Sequence, residues 1–409
     1  MKPDQFVGLD IGTSTVRCVI GTVDPNGGMP SIIGHGQAKN DGMRRGAVVH
    51  VDDVANAIVE AITEAERISG MTIKRATVNV NGSHVSGLNS EGVIAISSAN
   101  REITAEDRSR VEEAATIVKL PSNREIIQFF AKNYSLDGQK NIKDPVGMHG
   151  VRLEVDAHIV TAATPNLRNL DMALEKAEMT ATHHTVSGLA AAEAVFTRQQ
   201  KEAGTALLDI GAGTTNLIVF EDGEVQHAAV IPIGGQHITN DLAIGLKTDL
   251  DVAELVKLQH ADLRQGNSKT VASVKLNHNT YDFDFDQVAM IVEARVEELF
   301  DYIEKELQKI KRAKKLPGGI VLTGGTSKLP GLDEFAKERL QLPARKGSLH
   351  NIGGLVDTVE DPGFITVVGL MLLDMLLLPD LPENLGTKNR GQTTKTSSLI
   401  KNLLNKMKA

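Results

Sequence analysis

One short pattern occurs twice in this chain. Residues 6–15 read FVGLDIGTST and residues 206–216 read ALLDIGAGTTN. In each, an apolar run ends in Asp-Ile-Gly and enters a turn of small, hydroxyl-bearing residues, with the two aspartates 199 residues apart. A spacing that long is not the period of a solenoid; it predicts two similar lobes, each built around its own glycine turn. After the turns come VRCVIGTV and LIVFEDGEV, β-branched apolar runs without helical period, so each unit reads strand–turn–strand. That excludes the dinucleotide fingerprint, which needs a helix after its glycines, and no G-x-x-x-x-G-K-[ST] occurs anywhere. A length of 409 residues leaves room for two or more lobes with a substantial core.

Between the repeats, VDDVANAIVEAITEAERISG (51–70) has the spacing of an amphipathic helix closed by Gly70. ATVNVNG and EGVIAIS, within 76–98, read as strands. Thr104 is placed to cap ITAEDRSRVEEAATIV, and RLEVDAHIVTA (152–162) is a further strand. The turn-rich stretch 137–150 reads as a loop, and residues 84–165 together as a compact α+β insertion. Beyond the second repeat, helices are expected over 236–262 and 286–312, then a buried strand running into Gly324-Gly325-Thr326. FITVVGLMLLDMLLLP (364–379) is too short to span a bilayer and is interrupted by Asp374, which predicts a buried closing helix. Residues 380–396 have almost nothing to bury and read as a flexible linker.

The chemistry follows from the turns. A tight Gly/Ser/Thr turn presents consecutive backbone N–H groups as an anion-binding nest. Gly12, Thr13, Ser14 and Thr15 form one such turn; Gly211, Ala212, Gly213, Thr214 and Thr215, with Asn216 following, form the other. Asp10 and Asp209 enter the two turns, where carboxylates can hold Mg²⁺ through its waters, because Mg²⁺ dehydrates reluctantly. Two such turns and a third at 324–326 point to a polyphosphate ligand. The net charge of −8 gives no support for a nucleic-acid partner. The single cysteine, Cys18, lies in a β-branched run and reads as a buried strand residue in a reduced, cytosolic protein. The N-terminus lacks the apolar core of a secretion signal. His183 and His184 show no metal-ligand spacing.

These motifs resemble the two phosphate loops and the adenosine loop (GGTSKLPGL, 324–332) of the actin/Hsp70/sugar-kinase superfamily. EITAEDRSRVEEAA with LDGQKNIKDPVGMHGVRLEVDAHIV resembles the 1C subdomain of the FtsA family of bacterial cell-division proteins. The resemblance implies an α/β, two-lobed actin-like ATPase fold with an inserted α+β (1C-type) subdomain in the first lobe and a C-terminal amphipathic helix. The first lobe (1A) would comprise 1–83, 166–197 and 362–379, with the 1C insert at 84–165. The second lobe would comprise 198–227 and 306–361 (2A) and 228–305 (2B), followed by the linker 380–396 and the terminal helix 397–409. It further implies ATP with Mg²⁺ in the cleft, Gly324, Gly325 and Thr326 under the adenine and ribose, and Gly235 near the phosphates. Glu254 and Lys257 would reach the ribose; the plain alternative is an exposed i, i+3 ion pair. Where relatives of the MreB type have a glutamate that orients the attacking water, the matching position is Ser187, a poor base. Glu193 reads as structural. Slow ATP turnover, or none, is expected.

The last residues carry a second signal. On a helical wheel Leu399, Ile400, Leu403, Leu404 and Met407 fill one arc; Lys401, Lys406 and Lys408 lie on the other. That is the composition of a helix lying on an anionic membrane surface. By resemblance the chain would polymerise, work with other division proteins and tether FtsZ to the cytoplasmic face of the membrane at the division site. The FtsZ C-terminal peptide would bind near Arg295. A PilM-like pilus-assembly role and a small-molecule kinase are the alternatives; no aspartate base facing an acceptor pocket is identifiable for the latter.

Overall fold

The structure, a computed structural model, describes residues 5–23, 28–98, 100–264 and 270–377. Strand β1 (Gln5–Ile11) carries the first apolar run, returns as β2 (Thr15–Thr22) and continues antiparallel into β3 (Ser31–Lys39). A small hairpin, β4 (Met43–Arg44) and β5 (Ala47–Val48), leads into α1 (Val51–Ser69). Helix α1 buries Val54, Ile58, Ala61 and Ala65 along one face and stops at Gly70, whose left-handed φ of 69° lets its N–H reach Glu66 O. Strand β6 (Arg75–Val80) then lies parallel to β1.

The insertion follows as β7 (Ser86–Ala95), α2 (Ala105–Thr116), β8 (Arg124–Leu136), β9 (Gln139–Ile142) and β10 (Arg152–Ala163). Its sheet is antiparallel, in the order β7-β10-β8-β9. Thr104 caps α2 as expected, in a reciprocal box with Asp107. Leu153, Val155, Ala157 and Ile159 on one face of β10 build a separate small core with Ile103, Val111 and Ala115. The segment 137–150, read as a loop, contains β9, so that expectation is corrected. Its two-residue turn, Asp137-Gly138, takes positive φ and folds QKNI back on β8.

The chain returns through α3 (Thr164–Lys176), β11 (Thr180–Val186), α4 (Ser187–Val195) and α5 (Arg198–Ala203). The second repeat forms β12 (Thr205–Ile210) and β13 (Thr215–Glu221), followed by β14 (Glu224–Ile231). Next come α6 (Gly235–Leu246), α7 (Leu250–His260), the hairpin β15 (Val271–Leu276) and β16 (Asn279–Asp284), and α8 (Phe285–Lys309). Strand β17 (Gly319–Thr323), α9 (Leu332–Leu340), β18 (Ala344–Lys346), the two-residue β19 (Gly353–Gly354) and α10 (Ile365–Leu377) complete the described chain.

The two sheets share one plan. In the first, β6-β1-β2-β3 are neighbours; in the second, β17-β12-β13-β14. In each, the repeat's hairpin is flanked by a parallel strand on one side and an antiparallel strand on the other. Helix α10 folds back from the second lobe onto β1 and α4, and Cys18 is buried in the same core. Among the described residues no helix is long and apolar enough to cross a membrane. The linker and terminal helix read at 380–396 and 397–409 lie outside the described residues, as do 378 and 379.

Helices α10 and α4 meet backbone to backbone: a β-carbon on Gly369 would stand 1.7 Å from Ala190 O. Gly369→Val should therefore cost about 3 kcal/mol or more. A β-carbon on Gly325 meets nothing within 4 Å, so Gly325→Ala should stay within about 0.5 kcal/mol of wild type. Urea unfolding of the two variants checks both values.

Candidate functional site

The repeats fold alike down to single bonds. Gly12 N–H donates to Thr15 O at 3.1 Å, and Gly211 N–H donates to Thr214 O at 2.9 Å, so one turn closes both strand pairs. The two turns face one another across a cavity of about 320 Å³ between the lobes. The first turn is held from behind by Asn40, whose side chain donates to Gly12 O at 2.8 Å. The second is locked to its surroundings. Gly235 N–H donates to Gly211 O at 2.9 Å, and Thr326 Oγ1 donates to the same oxygen at 3.0 Å. There is no room for side chains here. A β-carbon on Gly235 would lie 2.5 Å from Thr326 Oγ1, and one on Gly324 (φ 83°) would lie 2.6 Å from Asp209 Oδ1.

Of the sequence-predicted residues, Gly12, Thr13, Ser14 and Thr15 line the cavity on one side. Gly211, Ala212, Thr214 and Asn216 line it on the other, with Gly235, Glu254, Lys257, Gly324, Gly325 and Thr326 around the mouth. Gly213 and Thr215 are not in the lining. Thr215 is buried and its hydroxyl donates to Ile233 O at 2.8 Å. Gly213 faces the other lobe: a β-carbon there would come within 2.7 Å of Thr13 Oγ1 and 3.1 Å of Arg45 Cα. Its smallness serves the approach of the lobes to each other.

Asp10 and Asp209 converge on the cavity from the two strand ends, both buried. Burial pushes the Asp10 carboxyl up from 3.8 to about 7, with the charge of Asp209 adding to the rise and Arg17 and Asn79 opposing it. Asp209 is raised as well, again by burial, against hydrogen bonds from Asn216 (3.1 Å) and Thr366 (3.3 Å). Two desolvated carboxylates among hydroxyl and carbonyl oxygens fit a hard divalent cation such as Mg²⁺.

Lys257 Nζ reaches Glu254 at 2.6 Å, Thr239 Oγ1 at 2.9 Å and Gly235 O at 3.3 Å. The pair is thus both the i, i+3 bridge of the plain reading and part of the cavity wall. Ile238, Leu258, Leu329 and Pro330 supply an apolar side, on which Leu258 is 68% exposed. Ser187 also lines the cavity, its hydroxyl accepting from Asn79 Nδ2 at 3.2 Å. Glu193 is paired with Lys201 at 2.7 Å, as its structural reading expected. Arg295 is engaged within its own lobe, by Asp241 and Glu298. His184 pairs with Asp171 at 2.9 Å.

Arg17, Asn81 and Thr366 line the cavity without having been picked out from sequence. Arg17 follows the first turn on β2, and its guanidinium lies 5.2 Å from the centroid of Phe364. An arginine in an otherwise apolar strand was the available signal. Asn81 donates to Thr214 Oγ1 at 2.9 Å, across the lobes.

A family model described as "Cell division protein FtsA" matches residues 206–369, and one described as "SHS2 domain inserted in FTSA" matches residues 82–161. The cell division protein FtsA of Pseudomonas aeruginosa is 36% identical over 372 residues, covering 90% of this chain and 88% of its own length. That of Bacillus subtilis is 37% identical over 372 residues, covering 90% and 83%. Among solved structures, a PilM–PilN type IV pilus biogenesis complex aligns with a TM-score of 0.66 at 16% identity, over 90% of this chain and 98% of the other. MreB5 of Spiroplasma citri bound to ADP aligns with a TM-score of 0.55 at 11% identity, over 91% and 96%. At such identities these two likenesses speak for the fold alone.

The buried acids give the ligand-free protein a pH signature. Folded Asp10 keeps its proton to about pH 7, whereas the unfolded chain loses it near 3.8. The folded state therefore holds more protons between those values. This contribution is complete below 3.8 and is lost as pH rises to about 7, at up to ~1.4 kcal/mol per pH unit. Asp209 acts in the same direction. Without Mg²⁺ or nucleotide, the urea midpoint should fall between about pH 5 and about pH 7.5, and Asp10→Asn should flatten that slope.

Proposed function

The chain belongs to the FtsA family of cell-division proteins, and on that premise we propose that it binds ATP with Mg²⁺ between its lobes, polymerises, and tethers FtsZ to the cytoplasmic membrane. The observation that carries the nucleotide reading is the meeting of both glycine turns and two buried carboxylates in one cavity. The turns Gly12–Thr15 and Gly211–Thr214 would cradle the phosphates through their N–H groups. Asp10 and Asp209 would hold Mg²⁺, which offsets the polyphosphate charge when bound. Gly324, Gly325 and Thr326 would lie under the adenosine, with Glu254 and Lys257 at the ribose. Such a ribose contact requires Lys257 to give up part of its bonding to Thr239 and Glu254. Arg17 would add a cation beside the first turn.

Hydrolysis would be slow. Ser187 stands where a carboxylate would orient water, and its hydroxyl is neutral at physiological pH. The division into 1A, 1C, 2A and 2B with the boundaries given above is part of this reading. The FtsZ C-terminal peptide would dock near Arg295; because that guanidinium is already held by Asp241 and Glu298, an acidic peptide must compete for it. Over the pilus and kinase alternatives, this reading is supported by FtsA relatives that are 36–37% identical and cover 90% of the chain.

Gly325 offers a clean test, because a side chain there enters open space at the cavity wall. Gly325→Leu should fold normally and lose ATP binding in isothermal titration calorimetry. Full affinity in the folded variant would sink the assignment of the adenosine loop.

The tail reading rests on sequence. Its five apolar residues set an upper bound of ~1.5–3 kcal/mol each, and its three lysines add ~1 kcal/mol each near an anionic surface. One copy should bind reversibly, and a polymer should hold by avidity. Leu403→Glu and a chain ending at Thr396 should both stop sedimenting with anionic liposomes while still binding ATP. Unchanged sedimentation would place the membrane contact elsewhere.

A further inference from the structure

The insertion is covalently part of the first lobe, yet one of its faces is bonded to the second. His158, in the middle of β10, is 1% exposed and points away from the insertion's own core. Its Nε2 accepts the N–H of Ala228 on β14 at 3.0 Å. The same Nε2 lies 3.3 Å from Ala228 O, and Nδ1 lies 2.9 Å from Asn89 Oδ1 on β7, an oxygen that Lys132 also reaches at 3.3 Å. Next to it, His227 stacks edge-on at 5.2 Å and bonds Glu306 of α8 at 3.0 Å. Burial, followed by the influence of His227, keeps the His158 ring neutral, its pKa lowered to about 3.

The surroundings are those of a packed joint. Phe130, Val160 and Ala162 of the insertion belong to one apolar cluster with Ile218, Val225 and Ala228 of the second lobe. Gly87 of β7 lies so close that a β-carbon would stand 2.5 Å from Ala228 O. Across the cavity the same two lobes touch at Thr13 and Gly213 and at Asn81 and Thr214. The lobes are thus pinned on both sides, once beside the phosphate turns and once through the insertion.

We propose that His158 and strand β14 form a joint through which the inserted subdomain holds the spacing of the two lobes, so that the joint and nucleotide in the cleft stabilise each other. The proposal rests on the nucleotide reading above. The joint is made with the phosphate turns facing one another, so it favours the arrangement in which both lobes contribute to one ligand. Without it the lobes separate more easily, and the apparent affinity falls by the fraction of molecules that remain competent. By linkage, whatever tightens the cleft also tightens the joint, by the same factor.

The test uses the full chain with ATP and Mg²⁺. Amide hydrogen exchange at Ala228 should slow several-fold when nucleotide is added. His158→Ala should weaken ATP binding about fivefold or more. Gly87→Ala, whose β-carbon would press at 2.5 Å on both Ala228 O and His158 Nε2, should act likewise while keeping the histidine itself. His158→Gln, whose amide oxygen can accept the Ala228 N–H, should stay near wild type, which loss of general stability would not predict. Wild-type affinity in both His158→Ala and Gly87→Ala, or Ala228 exchange indifferent to nucleotide, would overturn the joint. Wild type that binds no ATP would instead overturn the nucleotide reading, and the coupling with it.

Discussion

Helix α10 lies against β1 and α4 at a distance that only glycine permits. A β-carbon on Gly8 would meet Val367 O at 2.2 Å, and Gly369 stands in the same relation to Ala190. The contact with β1 joins residues more than 350 positions apart and closes the first lobe around the chain between them. Asp374 supplies the polar register. One carboxylate oxygen accepts Val7 N–H at 3.0 Å and the other accepts Thr77 Oγ1 at 2.7 Å, tying the closing helix to β1 and to β6. The residue that interrupts the apolar stretch at 364–379 is therefore also the one that fixes where that stretch packs. The return of the chain through 361–366 also brings Gly363 and Thr366 to the cavity, so the last helix completes the site begun by the first strand.

The lobes and their turns were legible because both carry a pattern that local physics imposes. Apolar strands must end in a residue that tolerates a tight turn, and a repeat of Asp-Ile-Gly at each strand end is hard to miss. The closing bond of each turn, glycine N–H to a threonine carbonyl, is the same in both. What the pattern could not reveal was the partner of each glycine. Gly12 and Gly213 look equivalent on paper. In the fold a β-carbon on Gly12 would strike Thr15 O inside its own turn, whereas one on Gly213 would strike Thr13 of the opposite lobe. Thr215 looks like a phosphate ligand and instead spends its hydroxyl on Ile233 O. Both differences come from tertiary contacts with no local trace.

The unanticipated elements have the same origin. Strand β8, REIIQFFAKNYSL, has no clean alternation because Gln128, Phe129, Phe130 and Ala131 are all buried, between the insertion's own core and the main body. A strand covered on both faces loses the period by which strands are found. The hairpin β15–β16 alternates, but through Lys275, Asn277, His278 and Asn279, and its turn residues Asn277 and His278 take positive φ at the polar end of the unit. Arg17 was overlooked because a cation in a strand repeat is ordinarily a solvent-facing residue. Its place beside the cavity follows from β2 leaving the first turn directly.

The electrostatics of the cleft point the same way as its shape. Two carboxylates are buried within reach of each other, a state that protein interiors tolerate only when protonation, a cation or hydrogen bonds offset the charge. Here the offset is partial. Asp209 has Asn216 and Thr366, Asp10 has Asn79 and the charge of Arg17 opposite it on β2, and the Nε of Arg17 has no hydrogen-bond partner among the described residues. A fold optimised for stability alone would replace such a pair with apolar side chains of similar volume. The glycines around it forgo side chains that would fill the space. Acid pair, arginine and glycine turns therefore make one polar, desolvated unit where the two lobes meet. The cost of burying that unit is offset by contacts remote from it, among them α10 on α4 and the insertion on β14.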